Sequence, residues 1–153
     1  MTVPQSTVLQ STVLLSDDRI TGIPAIECGE PLVDLFTRDM LTSGQQFARE
    51  TVADRLALAG AAADLTLVGA HGPLDLGTPI DATPEQSSGA CFFAAANISR
   101  EARTNRSLLA DVLTAAGLVN YPTQWWHWSF GDRYWAFVED RPNALYGPAY
   151  SLA

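Results

Sequence analysis

Apolar residues recur at helical spacing in two stretches of the chain. Over residues 42–59, Phe47, Val52, Leu56 and Ala59 approximate one stripe, with Thr42 or Ser43 placed to cap it and Gly60 to end it. Over residues 99–116, Leu108, Leu109, Val112, Leu113 and Ala116 form an apolar face, with Asn97 or Ser99 as cap and Gly117 as stop. Both patterns predict helices. Between them, A-A-A-D-L-T-L-V at 61–68 predicts a buried strand carrying one carboxylate, Asp64. His71-Gly72 marks a turn, residues 73–76 a short return, and 78–90 a loop rich in Pro, Gly and Ser. Near the N-terminus S-T-V-L occurs twice, too closely for a repeat architecture, so residues 1–16 predict a loose arm with a strand near 13–15. Turn and strand follow over 17–26, and a short edge strand over 32–36.

The most distinctive stretch is T-Q-W-W-H-W-S-F-G-D-R-Y-W-A-F, residues 123–137. Its aromatic, strand-prone halves flank Gly131-Asp132, which suits a two-residue type II′ turn, so the pattern predicts a β-hairpin. Alternation then gives two faces. Trp126, Trp128, Trp135 and Phe137 form a core face, and Trp125, His127, Ser129, Tyr134 and Ala136 form the floor of a pocket. Taken alone, His127 reads as a structural histidine in an aromatic sheet. Residues 140–153 predict an irregular tail. Two helices on one twisted, mainly antiparallel sheet make an α+β domain.

Composition narrows the functional classes. The 153 residues are 47% hydrophobic and 17% charged, an ordinary folded balance. The formal net charge of -8 argues against nucleic acid and against anionic membranes as partners. No apolar run approaches the length of a membrane span, and no basic-then-apolar leader opens the chain, so a cytoplasmic location is expected. Cys28 and Cys91 lack metal-type spacing; a disulfide is open to them, and free thiols are the favoured reading.

Several segments together resemble a known family. A-D-L-T-L, L-D-L-G-T-P-I-D, N-R-S-L-L, A-A-G-L, W-W-H-W and G-D-R-Y-W-A-F resemble, in order, the C-terminal half of the VanX-type D-alanyl-D-alanine dipeptidases. E-C-G-E-P-L-V-D-L, residues 27–35, resembles their N-terminal part. The resemblance covers about two thirds of the chain and implies the fold these zinc peptidases share with the D-Ala-D-Ala carboxypeptidases. It implies domain bounds of 17–153 behind the 1–16 arm. The family places zinc ligands in S-x-H-x-x-G-x-A-x-D, a general base and third ligand in E-x-x-H, and an oxyanion-steadying arginine in a Y-R-P-like stretch.

Only half of that pattern is present. Aligned on A-D-L-T-L, the family's Asp falls on Asp64, its zinc His on Ala57 and its Ser on Arg55. E-x-x-H falls on Gln124-Trp125-Trp126-His127, and Y-R-P is absent, which suggests an internal deletion near 57–61. Two ligands are too few for a catalytic zinc, so no cofactor is expected. His71 is the one histidine left to complete a set, at a place where the family has no ligand. The expected activity is metal-independent acid–base chemistry by His127 and Asp64, with Gln124 donating to a carbonyl, on a small peptide-like or specialised-metabolite substrate: an isomerisation, elimination or cyclisation. Trp125, Ser129 and Tyr134 would line the ligand site, Ser129 doubling as a candidate nucleophile. Two alternatives stand beside it: a pseudopeptidase that only binds a small ligand or partner, and a residual zinc dipeptidase. A homodimer is a further expectation, covering surface that a deletion would expose.

Overall fold

A computed structural model describes residues 13–34, 47–49, 51, 54, 66–69 and 71–147. One long helix dominates the described part. It is α3, Arg100–Ala115, preceded by α1, Asp18–Thr21, and α2, Pro84–Ser87, and followed by α4, Arg133–Val138. Three antiparallel ribbons accompany them. β1 (Leu32–Asp34) pairs with β2 (Phe47–Arg49), β3 (Val68–Gly69) with β4 (Gly72–Pro73), and β5 (Val119–Asn120) with β6 (Trp128–Ser129). An α+β architecture is therefore present, although the described strands form separate two-stranded ribbons rather than one sheet.

α3 begins and ends as local chemistry dictates. The Ser99 side chain accepts from the Ala102 amide, and Gly117, at φ 84, closes the far end while Leu118 N donates to Leu113 O at 3.0 Å. Its buried residues are Ala102, Arg106, Leu109 and Leu113, spaced along one face. Leu108, expected on that face, points outward and is 50% exposed. Leu109 and Leu113 pack with Leu76, Cys91, Leu118, Trp125 and Trp126 into the main core.

The β-hairpin expected over 125–138 is not formed. Residues 133–138 are helical, because Asp132 caps them: its Oδ1 accepts from the Trp135 amide at 2.7 Å. The aromatic run favours a strand by propensity, and this cap together with the packing of Trp135 and Ala136 on Ala144 overrides it. β6 pairs instead backward with β5, in the register Val119↔Ser129 and Asn120↔Trp128. The two expected faces dissolve with the hairpin: Trp125, Trp126, Ser129, Tyr134, Trp135 and Ala136 are all buried.

The first expected helix also yields, at residues 47–49, to strand β2 opposite β1. Thr51 and Asp54 are helical, and the remainder of that stretch lies outside the described residues. At the end of the expected buried strand, Val68 is 70% exposed, and Asp64 lies outside the described residues. The turn at His71-Gly72 and the return at Pro73 form as expected, with Leu74 N donating to Leu67 O at 2.8 Å. Residues 17–26 hold α1, not a strand, and the loop over 78–90 contains α2 with a complete Thr83–Gln86 capping box. Residues 13–15 form no strand.

Residues 140–147 are irregular, as expected, and 144–146 are tied to the rest of the fold by backbone bonds. Ala25 and Ala144 form a parallel bridge, Ile26 N donates to Ala144 O at 3.0 Å, and Cys28 N to Leu145 O at 3.1 Å. The Gly131 carbonyl accepts from the amides of Leu145 and Tyr146. Both cysteines are free thiols, Cys28 exposed and Cys91 buried. Among the described residues, no helix is long and apolar enough to cross a membrane.

Gly131 is the position where this arrangement requires a glycine. Its φ is +73°, and a Cβ there would run into the ring of Tyr146. Gly131→Ala is therefore expected to lower stability by about 2–4 kcal/mol, combining left-handed strain with overpacking, as read from the denaturant midpoint.

Candidate functional site

The segment carrying Gln124 and His127 is a closed turn. Tyr121 N donates to His127 O at 2.9 Å, Gln124 N to Tyr121 O at 2.9 Å, and His127 N to Gln124 O at 3.1 Å. Asn120, at the end of β5, fills the middle: its Nδ2 donates to the carbonyls of Gln124, Trp125 and His127 at 3.1, 3.4 and 3.1 Å. The Trp128 indole donates back to Trp125 O at 3.1 Å.

Below the turn lies Trp125, only 1% exposed. Its amide donates to Cys91 O at 3.0 Å and its indole to Thr78 Oγ1 at 2.8 Å. Arg106 of α3 lies 5.6 Å from the centre of its ring. The guanidinium donates to Leu76 O, Ala90 O and Phe92 O at 2.8, 2.8 and 2.7 Å, and to Phe93 O at 3.3 Å. Arg106 is 1% exposed, and burial pushes its pKa down, opposed by Cys91 and Asp75. The cation is held by carbonyl dipoles where an ion pair would be the commoner arrangement.

On this frame the expected site residues take unequal positions. Gln124 is half-buried, and its side-chain amide makes no hydrogen bond among the described residues. His127 is also half-buried, with its ring edge-on to Tyr121 at a centroid distance of 5.7 Å. Burial pushes the imidazole below its ordinary pKa, and the Asp132 carboxylate works against that shift. Ser129 is buried, with an Oγ that has no partner among the described residues. Tyr134 packs edge-on to Tyr121 at 5.2 Å, and its hydroxyl donates to Asn120 O at 3.3 Å. Trp125 thus supports the turn from within. Asp64 lies outside the described residues, and His71 is exposed in the β3–β4 turn. Among the described residues, no three His, Cys, Asp or Glu side chains gather closely enough to hold a metal ion.

A cleft of about 470 Å³ adjoins the turn, lined by residues 77–82 and by Gln86, Ser87 and Ala90. Thr78 belongs both to this lining and to the hydrogen bond from Trp125, so cleft and turn are one framework. Asp81 lines it too. It is exposed, has φ 65, and its carboxylate accepts no hydrogen bond among the described residues. Asp is among the residues that adopt that backbone region most readily. L-D-L-G-T-P-I-D contained this residue, but a Pro- and Gly-rich loop gives no hint that its final carboxylate borders a cavity.

Residues 43–144 match the family model described as D-ala-D-ala dipeptidase, so the chain belongs to the D-Ala-D-Ala dipeptidase family. A D-alanyl-D-alanine dipeptidase from Synechocystis sp. (strain ATCC 27184 / PCC 6803 / Kazusa) is 34% identical over 86 residues, covering 51% of this chain and 35% of that protein. The match thus spans about a third of that relative's length. No solved structure matches.

Two outcomes follow from this geometry. Arg106→Met removes the donor from the buried carbonyls of Leu76 and Ala90 and should cost about 3 kcal/mol, with Arg106→Lys recovering only part, as read by tryptophan fluorescence during denaturant unfolding. His127 has a depressed folded-state pKa, so its contribution to stability is fully present above about pH 6.5 and is lost as pH falls through the depressed value. His127→Gln should remove that component of the pH–stability profile, and imidazole NMR titration should show the depressed pKa directly.

Proposed function

We propose that this chain is a metal-independent member of its family that binds a small peptide-like ligand without hydrolysing it. The observation that carries this reading is Gln124. The 121–127 turn is clamped by Asn120 and seated on Trp125, and the segment resemblance aligns its Gln124 with the family's general base, which supports a reading in which an amide stands in that place. An amide accepts no proton from water at neutral pH.

The catalytic zinc that the family implies does not fit the donors present. Three protein ligands are the usual minimum, and the segment alignment supplies Asp64 and His127, with Ala57 at the remaining position. No step is therefore routed through a metal. The adjoining cleft suits the ligand class. Asp81 offers a carboxylate to the ammonium group of a dipeptide, and the net charge of -8 favours a cationic end.

A second reading rests on His127. Its imidazole is kept neutral by burial, and its ring nitrogens have no hydrogen bond among the described residues, so it is available as a base. With Asp64 orienting it, His127 would run acid–base chemistry on a small substrate.

Calorimetry and product analysis with D-Ala-D-Ala and L-Ala-D-Ala separate these readings. Binding that Asp81→Asn weakens about tenfold or more, with no product and no stoichiometric zinc, is expected. Turnover abolished by His127→Ala, with the fold intact, would replace binding by acid–base catalysis. Stoichiometric zinc with chelator-sensitive hydrolysis would overturn both.

A further inference from the structure

We propose that a second cleft, formed where α1 and the C-terminal segment meet the start of α4, binds an apolar α-amino acid in its zwitterionic form. It shares no lining residue with the cleft at residues 77–82. Its volume is about 280 Å³, at the lower edge of the roughly 300–1,000 Å³ typical of small-molecule sites, which points to a ligand of few atoms.

The lining decides the chemistry. Leu15, Ile20 and Ala25 are aliphatic, and Tyr134 and Tyr146 contribute aromatic rings. Both hydroxyls are already committed: Tyr134 donates to Asn120 O, and Tyr146 donates to Glu30 Oε2 at 3.2 Å. Burial, then the adjacent Glu30 carboxylate, pushes the Tyr146 phenol up to about 12, so it stays protonated. The tyrosines therefore offer ring surface, and polar recognition falls to the two charged residues of the lining, Asp132 and Arg133.

These two have capacity to spare. Asp132 uses Oδ1 to cap α4, and its Oδ2 accepts no hydrogen bond among the described residues. Arg133 is exposed and makes no ion pair or hydrogen bond among the described residues. Opposite charges on consecutive residues suit a ligand that carries ammonium and carboxylate on one carbon. An amine alone would face Arg133 without a partner for it, and an acid alone would face Asp132. The aliphatic and ring surfaces then take an apolar side chain.

The test is calorimetry and amide-shift mapping with phenylalanine and leucine of both hands, beside phenethylamine and 3-phenylpropionate, which each carry one charge. Arg133→Gln alters an exposed side chain, and Asp132→Asn retains the helix cap, so both should fold, as circular dichroism would confirm. The expected result is saturable amino-acid binding with shifts at Ile20, Tyr134 and Gly147. Each variant, and each single-charge analogue, should weaken it about tenfold or more. The absence of binding to any of the amino acids overturns the proposal. So does binding indifferent to both variants, or binding lost in Asp81→Asn instead, which would put the ligand in the other cleft.

Discussion

The buried guanidinium of Arg106 is the constraint on which the rest of the described structure depends. A cation that is 1% exposed, with no carboxylate bonded to it among the described residues, is tolerable only if carbonyl dipoles replace its hydration shell. Those carbonyls come from Leu76, Ala90, Phe92 and Phe93, so two stretches of irregular chain must converge on the middle of α3. The same guanidinium lies against the indole of Trp125, and the indole N–H in turn holds Thr78. Irregular backbone is buried here without a sheet because one planar side chain, with five donors in a fixed fork, satisfies it.

That arrangement separates the shape of the 121–127 turn from its chemistry. The turn is held by backbone bonds, by Asn120 from inside and by Trp125 from below, and none of these uses the side chain of Gln124 or His127. The form of the turn is therefore independent of which side chains stand at Gln124 and His127.

A second set of contacts binds the two ends of the described chain. Residues 24–28 run beside 144–145, and Glu30 accepts from Thr51 and from the Tyr146 hydroxyl. Tyr146 in turn lies against Gly131, whose carbonyl receives the amides of Leu145 and Tyr146. The second cleft lies at this junction, and its lining residues are drawn from segments more than a hundred positions apart in the chain.

The sequence by itself determined the features that depend on near neighbours. α3 follows from its apolar spacing, the Ser99 cap and Gly117, and the β3–β4 turn follows from His71-Gly72. Family membership was legible in the ordered segments, and the Gln124-to-His127 spacing in one short run. Tertiary structure decided what involved distant partners. Residues 47–49 became a strand because β1 lies opposite, against their own helical spacing. Residues 133–138 became a helix because the Asp132 cap and the packing on Ala144 outweighed the strand preference of aromatic residues. Which of those aromatics support the turn and which border a cleft was likewise invisible to alternation, since period-two patterning carries meaning only once the strand exists. The burial of Arg106 lay furthest from view, because a charged residue at mid-helix reads as solvent-facing until the carbonyls that receive it are brought together.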